Sequence, residues 1–314
     1  MKSVLCMGQN GTFSCLPTSM KPSPLQSSYR QRYLPLPLVI LLDNAVPRPV
    51  RFLSIAGTDP SGGAGQSADI KTASALGAWA TSVVTAVVAQ NTCGVRAVEP
   101  LSPAIIRAQL EAVFEDIPPD CVKIGMVNDP VTARLIGEFI ERYRPPHVVL
   151  DPVMVAKSGD MLVDRAGFHA VRDVLIPIAD VITPNLPEAA VLLDVPVADS
   201  SAAMTRIMPA LEKLGAAIVV LKGGHLTGAW CNDLVATPEG RYWLEAPRID
   251  TRALHGSGCT LASAIAALLP KSETPLAAIR EARRYMSRAL EAGERLEIGQ
   301  GQGPAHHFHA WWRS

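Results

Sequence analysis

From Val50 onward the chain alternates short runs of consecutive apolar residues with longer stretches of helical period. Arg51-Phe-Leu-Ser-Ile-Ala56, Val148-Val-Leu150 and Ile218-Val-Val-Leu221 are continuous rather than alternating, as expected of strands covered by helices on both faces. The pattern predicts strands over 51–56, 82–89, 121–125, 147–151, 180–183 and 217–221. It predicts helices over 68–76, 103–115, 130–143, 164–175, 186–193, 200–214, 257–269 and 275–292. The segment 82–89 joins the strands for its β-branched content. Two further segments, 230–236 and 241–246, flank Thr237-Pro-Glu-Gly240 and read as a hairpin. Together they predict an α/β fold, a three-layer α/β/α sandwich with a mostly parallel central sheet.

Ligands of such sheets sit at the carboxyl ends of the strands. That rule selects the loops starting at Gly57, Gln90, Gly125, Asp151, Thr183 and Lys222. Composition narrows what they can bind. A chain of 314 residues, 48% hydrophobic, can bury a full core and is not a disordered one. Its 29 basic and 29 acidic residues cancel, but unevenly: residues 1–49 carry a balance of +4 and the remainder −4. A mildly acidic main part argues against a nucleic-acid partner. No run approaches the roughly 20 apolar residues of a membrane span, so no membrane partner is expected. The six cysteines have no metal-ligand spacing, which suggests a reducing, cytoplasmic setting. Residues 1–49 are basic and hold seven prolines. Their composition resembles a transit peptide, but the prolines break any long amphipathic helix. The expectation is a disordered extension or a misassigned start, followed by a single domain over 50–314.

Two glycine clusters stand out. Gly63-Ala-Gly65-Gln-Ser-Ala68 fits GxGxxA, yet no acid lies between Asp69 and Glu99 to hold a ribose, and the Lys-Ser/Thr of a P-loop is missing. It reads as a loop that lets backbone approach a small ligand. The second, His255-Gly-Ser-Gly-Cys-Thr260, opens an apolar helix, where unpaired N–H groups and the positive dipole end make an anion site. Cys259 lies in that field, which would favour its thiolate. It could take a proton from a substrate hydroxyl while the N–H groups neutralise a transferring phosphoryl. The competing reading is a small buried cysteine at a glycine-lined helix start.

Ala56-Gly-Thr-Asp-Pro-Ser-Gly-Gly-Ala-Gly65, Ala89-Gln-Asn-Thr92, Lys123-Ile-Gly-Met126, Asp151-Pro-Val-Met154, Ala156-Lys-Ser-Gly-Asp160, Ile182-Thr-Pro-Asn-Leu-Pro-Glu-Ala189, Lys222-Gly-Gly-His225 and His255-Gly-Ser-Gly-Cys-Thr260 stand in order across nearly the whole of 50–314. In these motifs the chain resembles hydroxymethylpyrimidine/phosphomethylpyrimidine kinase, the thiamine-pathway member of the ribokinase-like superfamily. The ending Gly303-Pro-Ala-His-His-Phe-His-Ala-Trp-Trp312 resembles bacterial members too. The resemblance implies a ribokinase-like sandwich and a homodimer. It also implies two ATP-dependent phosphorylations in one site, of 4-amino-5-hydroxymethyl-2-methylpyrimidine to its monophosphate and then its diphosphate. Sugar kinases of the superfamily have Asp where this chain has Cys259, so the cysteine supports the narrower assignment.

On that resemblance Gln90 reads the pyrimidine, its amide offering a donor beside an acceptor to the aminopyrimidine edge. Gly57 and Asp69 fall at substrate positions, with Asp69 equally able to brace the loop, and Met126 and Val153 supply apolar walls. Gly256, Ser257, Gly258 and Cys259 form the catalytic anion hole. Asn185 and Glu188, three apart at a helix start, suit Mg²⁺ held through water and phosphate, and equally suit helix capping. Lys222 belongs to the ATP side, Asp151 to Mg²⁺ organisation or loop bracing, and Lys157-Ser-Gly-Asp160 to a loop closing over the substrate. His306, His307 and His309 read as an aromatic tail docked on the domain or a partner subunit rather than as metal ligands. The rival readings are a pyridoxal or related vitamin kinase on the same fold, and a non-catalytic pyrimidine-binding protein.

Overall fold

The computed structural model describes residues 48–127, 129–154 and 165–312. Its main sheet has eight strands in the order β10-β9-β8-β7-β6-β5-β1-β2. These are β1 (Val50–Ala56), β2 (Ala78–Val84), β5 (Cys121–Ile124), β6 (Val148–Leu150), β7 (Val181–Ile182), β8 (Ile218–Leu221), β9 (Asp233–Thr237) and β10 (Gly240–Leu244). Pairing is parallel from β2 through β8 and antiparallel for β9 and β10, which form the expected hairpin.

Alternate strand residues feed two cores, as the period of two requires. Leu53, Ile55, Val148, Leu150 and Ile182 pack on one face with α2 (Pro103–Asp116), α3 (Pro130–Tyr143), α5 (Leu186–Leu193) and α6 (Ser201–Glu212). On the other face Phe52, Val149 and Val181 meet α1 (Gly65–Ala75), α7 (Ser257–Leu268) and α8 (Pro275–Gly293). That second layer is rich in alanine (Ala73, Ala262, Ala264, Ala266, Ala278, Ala282 and Ala289), which lets helices approach closely. The short α4 (Arg165–Ala170) runs into a wider turn at 171–175, where the sequence pattern predicts one helix over 164–175.

The segment 82–89 departs more from expectation. One strand was expected there, but the chain breaks at Thr85 into β2 and a separate strand, β3 (Ala86–Asn91), which pairs antiparallel with β4 (Gly94–Pro100). The cause is the neighbour: β1 ends at Ala56, paired with Val84, and beyond it the chain turns into the glycine loop. With no partner left in the main sheet, β3 takes β4 instead, while Thr85 Oγ1 donates to Met126 O at 2.9 Å. Gln90 therefore lies on a two-stranded flap and not at the end of a main-sheet strand.

Candidate active site

The carboxyl ends of β1, β5, β6, β7 and β8 and the start of α7 converge. Asp151, at the end of β6, is buried and accepts from Thr183 Oγ1 at 2.8 Å and from Lys222 Nζ at 2.9 Å. Lys222 Nζ lies 3.9 Å from Glu188 Oε2. Burial works against both charges, but each favours the other: Lys222 and Lys123 hold the Asp151 carboxyl below its ordinary range, and Asp151 and Glu188 hold the Lys222 ammonium above its own. A Cβ on Gly258 would stand 3.4 Å from both Asp151 Oδ2 and Lys222 Nζ, so this ionic cluster abuts the first turn of α7.

Asn185 and Glu188 form a full capping box at α5, with Glu188 N donating to Asn185 Oδ1 at 2.8 Å and Asn185 N to Glu188 Oε2 at 2.7 Å. Capping fixes the Glu188 carboxylate beside Lys222. Among the described residues no three His, Cys, Asp or Glu side chains form a cage for a metal ion. Two carboxylates against one lysine leave one negative charge, and hard oxygen donors of that kind suit Mg²⁺ that keeps waters and phosphate as its other ligands.

No side chain caps α7: its cap is Gly256, at φ +73°. A Cβ there would fall 1.8 Å from Gly63 O, so only glycine lets the helix start and the glycine loop meet. Asp59 ties the two together. Ala64 N and Ser61 Oγ donate to it at 2.6 and 2.7 Å, and His255 Nε2 stands 2.7 Å from its Oδ2. Burial opposes the charge, but His255, Ser61 and the Ala64 N–H outweigh it and keep Asp59 ionised.

Cys259 sits in the first turn of α7 and is half-buried. Desolvation, with the Asp69 and Asp151 carboxylates, pushes its thiol up to about 11 and outweighs Lys123 and the nearby Gly65 N–H, which favour the thiolate. The helix field is expected to favour the thiolate, and here desolvation works in the opposite direction and favours the thiol.

The substrate-side residues fall into two sets. Gly57, Met126 and Val153 come together under the flap: a Cβ on Gly57 would meet Met126 Cε at 2.5 Å, and Met126 packs with Ala86 and Val88 of β3 and with Val153. Gln90 pairs with Val95, which packs against the same cluster, at a register shift between Ala89 and Gln90 that turns the strand locally. Asp69 is placed elsewhere. It is fully buried and accepts from Ser54 Oγ at 2.6 Å, from Ser263 Oγ at 2.7 Å and from Lys123 Nζ at 2.9 and 3.0 Å. The expected direct substrate contact is replaced by a bracing role, because its oxygens are already engaged by β1, β5 and α7.

Sequence reasoning left Lys123, Asp59, His255 and Ser263 unassigned, although the first three stand in motifs or loops that it quotes. The signal for Lys123 was present, a lone cation inside the apolar run Cys121-Val-Lys-Ile124. The tail docks on its own chain: His307 is buried with Nε2 3.2 Å from Thr260 Oγ1, and Trp311 Nε1 donates to Ala75 O at 3.0 Å. Lys157-Ser-Gly-Asp160 lies outside the described residues, as does the extension up to residue 47. Among the described residues no helix is long and apolar enough to cross a membrane.

The model of the phosphomethylpyrimidine kinase family matches residues 59–306. The hydroxymethylpyrimidine/phosphomethylpyrimidine kinase of Salmonella typhimurium is 48% identical over 84% of this chain and 99% of its own. The crystal structure of the phosphomethylpyrimidine kinase from Clostridium difficile superposes with a TM-score of 0.68 at 40% identity, over 76% of this chain and 99% of that one. The ADP complex of Bacillus subtilis pyridoxal kinase gives 0.78 at 32% identity, over 85% and 100%. The layered sandwich is thus the ribokinase-like one expected, and the chain belongs to the phosphomethylpyrimidine kinase family.

Proposed function

We propose that the protein phosphorylates 4-amino-5-hydroxymethyl-2-methylpyrimidine to its monophosphate and then to its diphosphate, with ATP as donor, for thiamine biosynthesis. The observation that carries this reading is the meeting of the glycine-started helix bearing Cys259 with the buried Asp151–Lys222 cluster, which a Cβ on Gly258 would approach to 3.4 Å. Family membership supports the reaction, and the high identity to kinases of that name supports this substrate over pyridoxal.

In this reading the Gln90 amide pairs with the aminopyrimidine edge, and Met126 and Val153 cover the ring. The N–H groups of Gly256, Gly258 and Cys259 receive the transferring phosphoryl, Ser257 N being already engaged with Leu254 O at 3.2 Å, and the loose transition state needs position and charge neutralisation above all. Lys222 faces the ATP phosphates. Glu188 and Asp151 would hold Mg²⁺ through water and phosphate, and the ion would supply charge screening of the phosphates. Cys259 takes the hydroxymethyl proton in its minor thiolate form, with Lys123 beneath it favouring that form. The second acceptor is a phosphate oxygen that is already ionised, so the thiol matters less there. A cytoplasmic homodimer completes the reading. Unpaired Cys93, Cys121, Cys231 and Cys259 support the compartment, and the family resemblance supports the dimer.

The test is mass detection of products from purified protein with Mg-ATP and the pyrimidine, in competition with pyridoxal. Mono- then diphosphorylated pyrimidine is expected. Preferential consumption of pyridoxal would make it a vitamin kinase of the other kind, and binding without either product would make it a binding protein.

A further inference from the structure

The carboxyl-terminal segment takes no part in the chemistry described, yet it touches both halves of the cleft. The flap ends in the turn Asn91-Thr-Cys-Gly94, where Cys93 N donates to Asn91 Oδ1 at 2.9 Å. Thr92 at its tip is half-buried because residues 299–302 pass across it. Gly301 N donates to Thr92 Oγ1 at 3.1 Å, and Gln302 N donates to Thr92 O at 2.9 Å. A Cβ on Gly301 would lie 2.0 Å from Thr92 O, and one on Gly299 would lie 2.3 Å from Thr92 Oγ1. The approach is one that glycine alone permits. One residue further on, Gly303 O accepts from His255 N at 3.0 Å, and Pro304 continues as a bridge beside His255. The strap therefore runs from the flap tip to the residue that precedes Gly256.

A two-stranded hairpin is marginal by itself. This one rests at its base on the small cluster of Ala86, Val88 and Met126 and on Thr58, whose N donates to Ala86 O and whose Oγ1 accepts from Val88 N. Its tip, two residues beyond Gln90, is fixed by the strap. The geometry points to Thr92 as a positioning residue: its clasp on the strap at Gly301 and Gln302 holds Gln90 at a set distance from the Cys259 end of the cleft. This rests on the reading of Gln90 as the group that recognises the pyrimidine. It gives a use to the Gly-Gln-Gly-Pro segment before the histidine-rich tail.

Steady-state kinetics of the full chain carrying Thr92→Val or Thr92→Ser, with the pyrimidine and ATP varied in turn, tests it. Valine keeps the side-chain branch and the Gln302 bond but removes the hydroxyl. The expected result is a pyrimidine KM raised about fivefold, the scale of one lost intramolecular hydrogen bond, with kcat and the KM for ATP within about twofold. Serine should bring the KM back to near the wild-type value. A valine variant like wild type, a fall in kcat with KM unmoved, or a serine variant as impaired as valine would overturn the proposal. In each of those cases the wild type still turns over the pyrimidine, so the proposed function stands. Absence of turnover by the wild type removes that function and this proposal together.

Discussion

The two halves of the cleft are built by different means. On the phosphate side, Asp151, Thr183, Glu188 and Lys222 project from the ends of adjacent main-sheet strands and one capped helix, and they are locked by buried ion pairs. On the substrate side, a hairpin outside the main sheet lies over a small apolar cluster, with glycine-loop backbone as the other wall. The difference suits the task. Phosphoryl transfer needs charges held within fractions of an ångström by surrounding structure. Recognition of a small ring that leaves larger than it arrived needs a surface that can adjust.

If that division is right, damage to the two halves should read out differently. The largest effect is expected for Lys222→Met, which strands the buried Asp151 carboxylate beside Glu188. Breaking a buried pair from one side costs about 3–5 kcal/mol, visible in denaturant unfolding, and the further change Asp151→Asn should recover part of it. A loss below about 1 kcal/mol would mean that the cluster is better hydrated than its burial indicates.

Next comes Cys259→Ala. We expect the first phosphorylation to slow by about a hundredfold, the scale of general base catalysis, and the second by much less. Equal losses in both steps would argue against the proton-accepting role. Its pH dependence has a defined sign. With the thiol raised to about 11, the thiolate is the minor form, and it grows about tenfold per pH unit below that value. The first step should therefore quicken as pH rises through the alkaline range, and the alanine variant should lose that rise.

A smaller effect is expected on the other side. Gln90→Leu should raise the pyrimidine KM about tenfold, because it removes a paired donor and acceptor, and leave the KM for ATP unchanged. A matching shift in the ATP constant would blur the two halves. Smallest of all is removal of residues 1–49. It takes Arg48 from Asp120, 2.9 Å away, but Arg51 keeps that carboxylate paired, so stability should fall by less than about 1 kcal/mol with turnover intact. Loss of turnover would give the extension a role that its composition does not suggest.

The same contrast explains what could be read from the sequence. The strand ends carrying Asp151, Thr183 and Lys222 were legible because each polar residue follows a continuous apolar run, and the sheet order does the rest. The flap was not. Ser82 to Asn91 has one composition throughout, and only the end of β1 at Ala56 decides that it splits at Thr85. The Asp69–Lys123 pair was also hidden, since it joins α1 to β5 and nothing local in either element announces the partner. Cys259 was legible from the helix start in Gly256-Ser-Gly258, whereas the desolvation that opposes its thiolate depends on tertiary neighbours.

The most direct measurement of the division is substrate rescue. Initial rates of both phosphorylations, read by mass at rising pyrimidine concentration with Mg-ATP saturating, would be compared for wild type, Gln90→Leu and Cys259→Ala. Saturating pyrimidine is predicted to restore the first-step rate of Gln90→Leu to near the wild-type value and to leave that of Cys259→Ala low. Failure of rescue in Gln90→Leu, or rescue of Cys259→Ala, would contradict the separation of recognition from transfer.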